Sequence, residues 1–113
     1  MESQPIQTDV EEGKTIAIIA YITLIGLIIA FIMNTDKKNS FAAYHIRQSL
    51  GIVLTAIVLS VVAGIVGIST ISWIFNLIIL AAWILGLISA VQGERKPIPV
   101  LGLQFQEWFK GIG

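Results

Sequence analysis

Within "NSFAAYHIRQSL" (residues 39–50), a phenol, an imidazole, a guanidinium and a carboxamide follow closely as Tyr44, His45, Arg47 and Gln48. These groups serve either proton transfer or the recognition of carboxylates and carbonyls. His45 is the chain's one histidine. As the base of an intramembrane hydrolase it needs a serine nucleophile within hydrogen-bond reach. It sits instead at the rim of an apolar run, away from Ser60 and Ser72. No carboxylate pair, metal-ligand cluster or glycine-rich phosphate loop accompanies it. The residues therefore argue against an enzyme and call for no cofactor and no metal. Recognition remains. The planar fork of Arg47 can hold a carboxylate or carbonyls through two parallel bonds. Glu94, which follows the last apolar run, is its candidate intramolecular partner. On this reading Tyr44, His45, Arg47, Gln48 and Glu94 form a contact motif. The alternative is an interfacial anchor, with Arg47 snorkelling and Tyr44 at the boundary.

The elements that must position this motif follow from composition. Of 113 residues, 56% are hydrophobic and 12% charged, with a mean hydropathy of +0.87. A soluble domain of this size carries about a quarter charged residues. The chain therefore reads as one small bundle in a lipid bilayer. Net charge is zero and no basic tract is interleaved with aromatics, so nothing points to nucleic acid. The absence of cysteine excludes disulfides, thiol nucleophiles and thiolate metal sites.

Three apolar runs predict spans at about 15–33, 41–67 and 71–91, giving an all-α integral membrane protein with three transmembrane helices. The run from Thr15 to Met33 contains no charge and would be roughly 28 Å long as a helix. Its acidic flank, residues 1–14, does not resemble the basic region of a signal peptide. "NTDKKNS" and "GIST" read as turns, with Asn39 or Ser40 and Ser69 or Thr70 as helix caps. Gly93, Pro97 and Pro99 end the third helix. Three crossings place the termini on opposite sides. Lys37, Lys38, Arg47, Arg95, Lys96 and Lys110 then put the first loop and the C-terminus in the cytoplasm, leaving the N-terminus, with Lys14, outside the cell membrane.

Residues 94–113 predict an interfacial segment. On a helix Leu101, Phe105, Trp108, Phe109 and Ile112 share one face, with Phe105, Trp108 and Phe109 as anchors in the headgroup layer. Small residues spaced by four, Ala56, Ser60 and Gly64 on the second span and Ala82, Gly86 and Ala90 on the third, predict close packing between those two helices. Asn76, mid-span, predicts an interhelical hydrogen bond. No ionisable residue lies mid-span, so a proton-coupled carrier lacks its relay.

On a helix Phe41, Tyr44, His45, Arg47 and Gln48 fill an arc of about 160°. The segment before the second span is thus amphipathic. "FAAYHIRQSL" resembles the signature of a large family of small bacterial membrane proteins grouped with the chloroplast import component Tic-twenty. Phe41, Tyr44, His45, Arg47, Gln48 and Leu50 fit its order and spacing, as do Gly93, Glu94, Lys96, Pro99 and Gly102 beyond the last span. The likeness covers about residues 15–105. It implies a helical membrane subunit and supplies no catalytic residue. The expected role is a non-enzymatic subunit of a membrane assembly concerned with protein translocation. Its partners would be the lipid bilayer and other membrane proteins or further copies of the chain. A self-assembling small channel and a holin-like lesion former are the alternatives.

Overall fold

The computed structural model describes residues 3–113, with side chains from residue 8 onward. Five helices follow in order: α1 (Ser3–Ile22), α2 (Leu24–Lys37), α3 (Ser40–Val66), α4 (Ser69–Val91) and the short α5 (Gly102–Trp108). Two of them, α3 and α4, are long and apolar enough to cross a membrane. Asn39 caps α3 as expected, whereas α4 starts at Ser69 with Ile68 as its N-cap and no side-chain cap bond, in place of the expected Ser69 or Thr70. The Asn39 side chain accepts from Ala42 N–H at the start of α3, and Gly67 ends α3 at φ +74°.

The first apolar run is not one span. It breaks at Thr23, whose φ of −156° and ψ of 176° are extended and whose hydroxyl accepts from Gly26 N–H at 3.0 Å. The chain then reverses. At the far end of α2, Asn39 donates to the Asp9 carbonyl at 2.9 Å and Ser40 donates to the Asp9 carboxylate at 2.6 Å. Thus α1 and α2 form a helical hairpin, and α3 runs alongside α1 in the same direction. The start of α1 therefore lies at the same end as the α2–α3 turn. The segment after α4 lies there too, since Arg95 is bonded to Ser40 at 2.9 Å and lies 3.9 Å from Asp9. This corrects the expected single crossing at 15–33 and the expected opposite placement of the termini. Much of the 1–14 tail is also the first half of α1; its side chains before residue 8 lie outside the described residues.

A helix that ends among apolar surroundings must find partners for its last carbonyls. Those of α1 come from elsewhere in the chain. Ser49 on α3 donates to Ala20 O at 2.5 Å, and the Trp83 indole on α4 donates to Tyr21 O. Gly26 lets α2 fold tightly back, because a Cβ there would lie 2.4 Å from the Ile19 carbonyl oxygen. Ile16, Ala20, Leu27, Ala30, Ala42 and Ile46 pack between the hairpin and α3. A second cluster, with Ala17, Tyr21, Phe41, Ile52, Ala90, Ile98 and Phe105, joins α1, α3, α4 and the C-terminal segment.

The small-residue stripes divide differently from the expected pairing. Ala56, Ser60 and Gly64 do face α4, lining a cavity with Ser72, Phe75, Asn76 and Ile79. Gly86 instead meets α1: a Cβ there would lie 2.6 Å from the ring of Tyr21. Ala90 is buried in the cluster with Ala17 and Tyr21, and Ala82 packs at its edge. The α4 stripe thus receives the hairpin, whose presence could not be read from the spacing. Nor does Asn76 make the expected interhelical bond: it is exposed, and none among the described residues pairs with its carboxamide.

Candidate functional site

The first turns of α3 present three faces, each with a different load. Ala42, Ile46 and Ser49 meet the α1–α2 hairpin. Tyr44, Arg47 and Gly51 meet the C-terminal segment around α5. Phe41, His45, Gln48 and Ile52 lie between them, against α1 and the chain that leaves α4. Spacings of three and four residues put each set on one stripe. Of the polar arc, read from sequence as a contact motif or else an interfacial anchor, His45 and Gln48 are turned into the protein and are both 0% exposed.

The segment after α4 explains why. Residues 94–98 form no helix or strand, yet each buried backbone group needs a partner. Pro97 and Pro99 have no N–H, so Ile98 N–H is the one donor from 97 to 99. It goes to Gln48 Oε1 at 2.9 Å. Gln48 Nε2 donates to Lys96 O at 3.3 Å and to the Tyr21 hydroxyl at 3.0 Å. Ser89, near the end of α4, accepts from Lys96 N–H at 3.0 Å and donates to Glu94 O at 2.8 Å. His45 Nε2 meets the same carbonyl at 2.7 Å. A carboxamide suits this place because it carries both an acceptor and donors, as a peptide group does.

The geometry fixes the hydrogens. Tyr21 Oη has one hydrogen and already accepts from Gln48, so it donates to His45 Nδ1 at 2.6 Å. Nδ1 is then the acceptor, and Nε2–H donates to Glu94 O. The reverse tautomer would set a nitrogen lone pair against a carbonyl oxygen. Both imidazole nitrogens are therefore occupied. Aromatic edges surround the ring, with Phe41, Tyr44 and Tyr21 centroids at 4.8, 5.2 and 5.4 Å.

Arg47 does not reach Glu94. Its Nε donates to Ile112 O at 2.8 Å and its Nη2 to Lys110 O at 3.0 Å, so the fork holds two carbonyls at the end of the chain. Glu94 enters the site through its backbone oxygen, while its carboxylate lies 3.1 Å from Lys96 Nζ. Gln106 donates to Tyr44 O at 2.7 Å, and the Tyr44 hydroxyl is buried without a partner among the described residues. Of the three expected anchors, Phe105 is buried instead, its ring seated on Gly51, where a Cβ would lie 2.2 Å from it. Phe109 stacks on Phe105, and Trp108 remains exposed.

Sequence reasoning missed Tyr21 and Ser89. Each is a polar side chain within an apolar run, a signal that was available. Their roles depend on neighbours more than 20 residues away or on the backbone beyond α4. Among the described residues, no three His, Cys, Asp or Glu side chains cluster as metal ligands do.

The chain is similar to the UPF0132 membrane protein MJ1527 of Methanocaldococcus jannaschii, with 35% identity over 72 residues. The match covers 59% of this chain and 49% of that protein, so the chain spans about half the length of its curated relative. No family model matches the chain, and no solved structure does.

Proposed function

We propose that the protein is a non-enzymatic integral membrane subunit that binds a helix of a partner membrane protein through the α3–α4 groove. In this reading α3 and α4 cross the bilayer and the α1–α2 hairpin enters and leaves from one side. Both termini are then cytoplasmic. The Lys and Arg side chains described in the structure gather at that end, while the Thr23 and Gly67–Ser69 turns carry no charge. The similar UPF0132 protein is named a membrane protein, in keeping with a bilayer environment.

One observation carries the assembly reading. Ser60, Ser72 and Asn76 line a cavity of about 320 Å³ between α3 and α4, beside exposed Gly64. An unpaired carboxamide facing lipid is unfavourable, and a hydrogen bond from a partner helix relieves it by about 1 kcal/mol. Small residues beside it permit close backbone approach. The occupied imidazole and the clamp-like use of the YHIRQ stretch favour a subunit over an enzyme. Translocation rests on the Tic-twenty-like motif alone.

Purification of the intact chain in mild detergent tests this. Asn76→Leu should release co-purifying membrane proteins while leaving monomer stability within about 0.5 kcal/mol. Partner recovery at the original level would remove the groove from the argument. Recovery of homo-oligomers alone would transfer it to the self-assembling channel.

A further inference from the structure

A second cavity, of about 470 Å³, opens where α2 turns into α3, its lining including Phe31, Thr35, Lys38, Ser40, Arg47 and Gly113. Two cations, Lys38 and Arg47, line it. The nearby Asp9 carboxylate, 2.6 Å from Ser40, faces Arg95 at 3.9 Å. With Arg95 offsetting Asp9, Lys38 and Arg47 keep the rim net positive even against a carboxylate on Gly113. Arg47 spends Nε and Nη2 on carbonyls, leaving Nη1 with no partner among the described residues.

Lys38 is in an unusual conformation. As the C-cap of α2 it has φ +50° and ψ +40°, a left-handed position that glycine or asparagine fills more cheaply. Lysine there sacrifices some stability and sets an ammonium at the mouth of the cavity. Below it, Leu24, Ile28, Phe31 and Thr35 recur at helical spacing along α2 toward Lys38. Leu24, Ile28 and Phe31 are 55%, 53% and 44% exposed. An apolar track therefore leads up to a cationic pocket at the charged end of the molecule.

We propose that this pocket binds an anionic glycerophospholipid, with its phosphate between Lys38 and Arg47 and an acyl chain along the Leu24–Ile28–Phe31 track. The charge selects anionic over zwitterionic headgroups, and the track selects a lipid over a soluble phosphate. The inference rests on the proposed topology, with the charged end at a membrane surface and α2 in the acyl layer, and is independent of the α3–α4 groove.

The test uses the full chain in nanodiscs of phosphatidylcholine, with and without phosphatidylglycerol. Phosphatidylglycerol should raise the thermal midpoint, and Lys38→Gly should weaken apparent phosphatidylglycerol affinity about 5-fold, the effect of one basic residue near an anionic surface. In pure phosphatidylcholine, Lys38→Gly should be at least as stable as the original chain, because glycine relieves the left-handed cap. Lys37→Gln, one residue away and outside the pocket, should keep the phosphatidylglycerol response. Equal losses in Lys38→Gly and Lys37→Gln would mean diffuse surface attraction and overturn the site. An equal rise produced by inorganic phosphate in phosphatidylcholine discs would overturn the lipid assignment. Failure of the original chain to enter discs at all would instead refute the membrane reading.

Discussion

The Tyr21 hydroxyl lies 2.6 Å from His45 Nδ1, joining the end of α1 to the beginning of α3. Through His45 the contact reaches Glu94 O, and through Gln48 it reaches Lys96 and Ile98. One phenol thus links the hairpin to both the second apolar run and the segment beyond the third. In a low-dielectric interior such a network is rigid when complete and destabilising when broken.

Tyr21→Phe leaves His45 Nδ1 without its donor and deprives Gln48 of an acceptor. The expected loss is about 1–3 kcal/mol, the penalty for stranding a buried polar group. Thermal unfolding in detergent reads it directly. Combined with His45→Ala, the loss should be less than additive, since the second change removes an atom already stranded. Full additivity would disconnect the two residues.

Arg47→Lys keeps the charge but cannot reproduce two bonds from a planar fork. Residues 109–113 should then exchange amide hydrogens faster and be trimmed sooner by protease, with α3 and α4 unaffected. Arg47→Ala and Glu94→Ala should be additive, because Arg47 holds Lys110 and Ile112 and not Glu94. A coupling above about 0.5 kcal/mol would contradict this.

Topology can be read from single cysteines at the exposed positions Glu11, Gly111 and Thr70. Glu11→Cys and Gly111→Cys should react with an impermeant reagent from the cytoplasmic face. Thr70→Cys should react from the opposite face. Labelling of the first two from opposite faces would restore three crossings and remove the hairpin.

Two glycines should separate sharply on substitution. In Gly26→Ala the new methyl meets the Ile19 carbonyl at 2.4 Å, backbone against backbone, so α2 must lift from α1. A loss of about 1–3 kcal/mol follows, as for other overpacked sites. Gly64→Ala has no atom within 4 Å and should be near neutral or slightly stabilising. Equal melting temperatures for both variants would place α2 elsewhere.

Residue type and order alone pointed to the helical, apolar character of the chain, to α3 and α4, to the Asn39 cap, and to Tyr44, His45, Arg47 and Gln48 as an unusual polar cluster. These follow from local quantities: run length, cap chemistry and an improbable cluster of polar groups. The tertiary structure decided which way that cluster faces and what the first run does. Thr15 to Met33 satisfies the length and polarity of a span, and nothing within it announces a reversal at Thr23. The break is tolerable because Ser49 and Trp83, far along the chain, cap the carbonyls of Ala20 and Tyr21. Hydropathy sums the residues of one segment, whereas a helix end in apolar surroundings depends on donors from other segments. The YHIRQ stretch behaves likewise. Its residue types pointed to a contact site with Glu94 as partner of Arg47, but not to the irregular backbone beyond α4, left by its prolines, that His45 and Gln48 satisfy from inside.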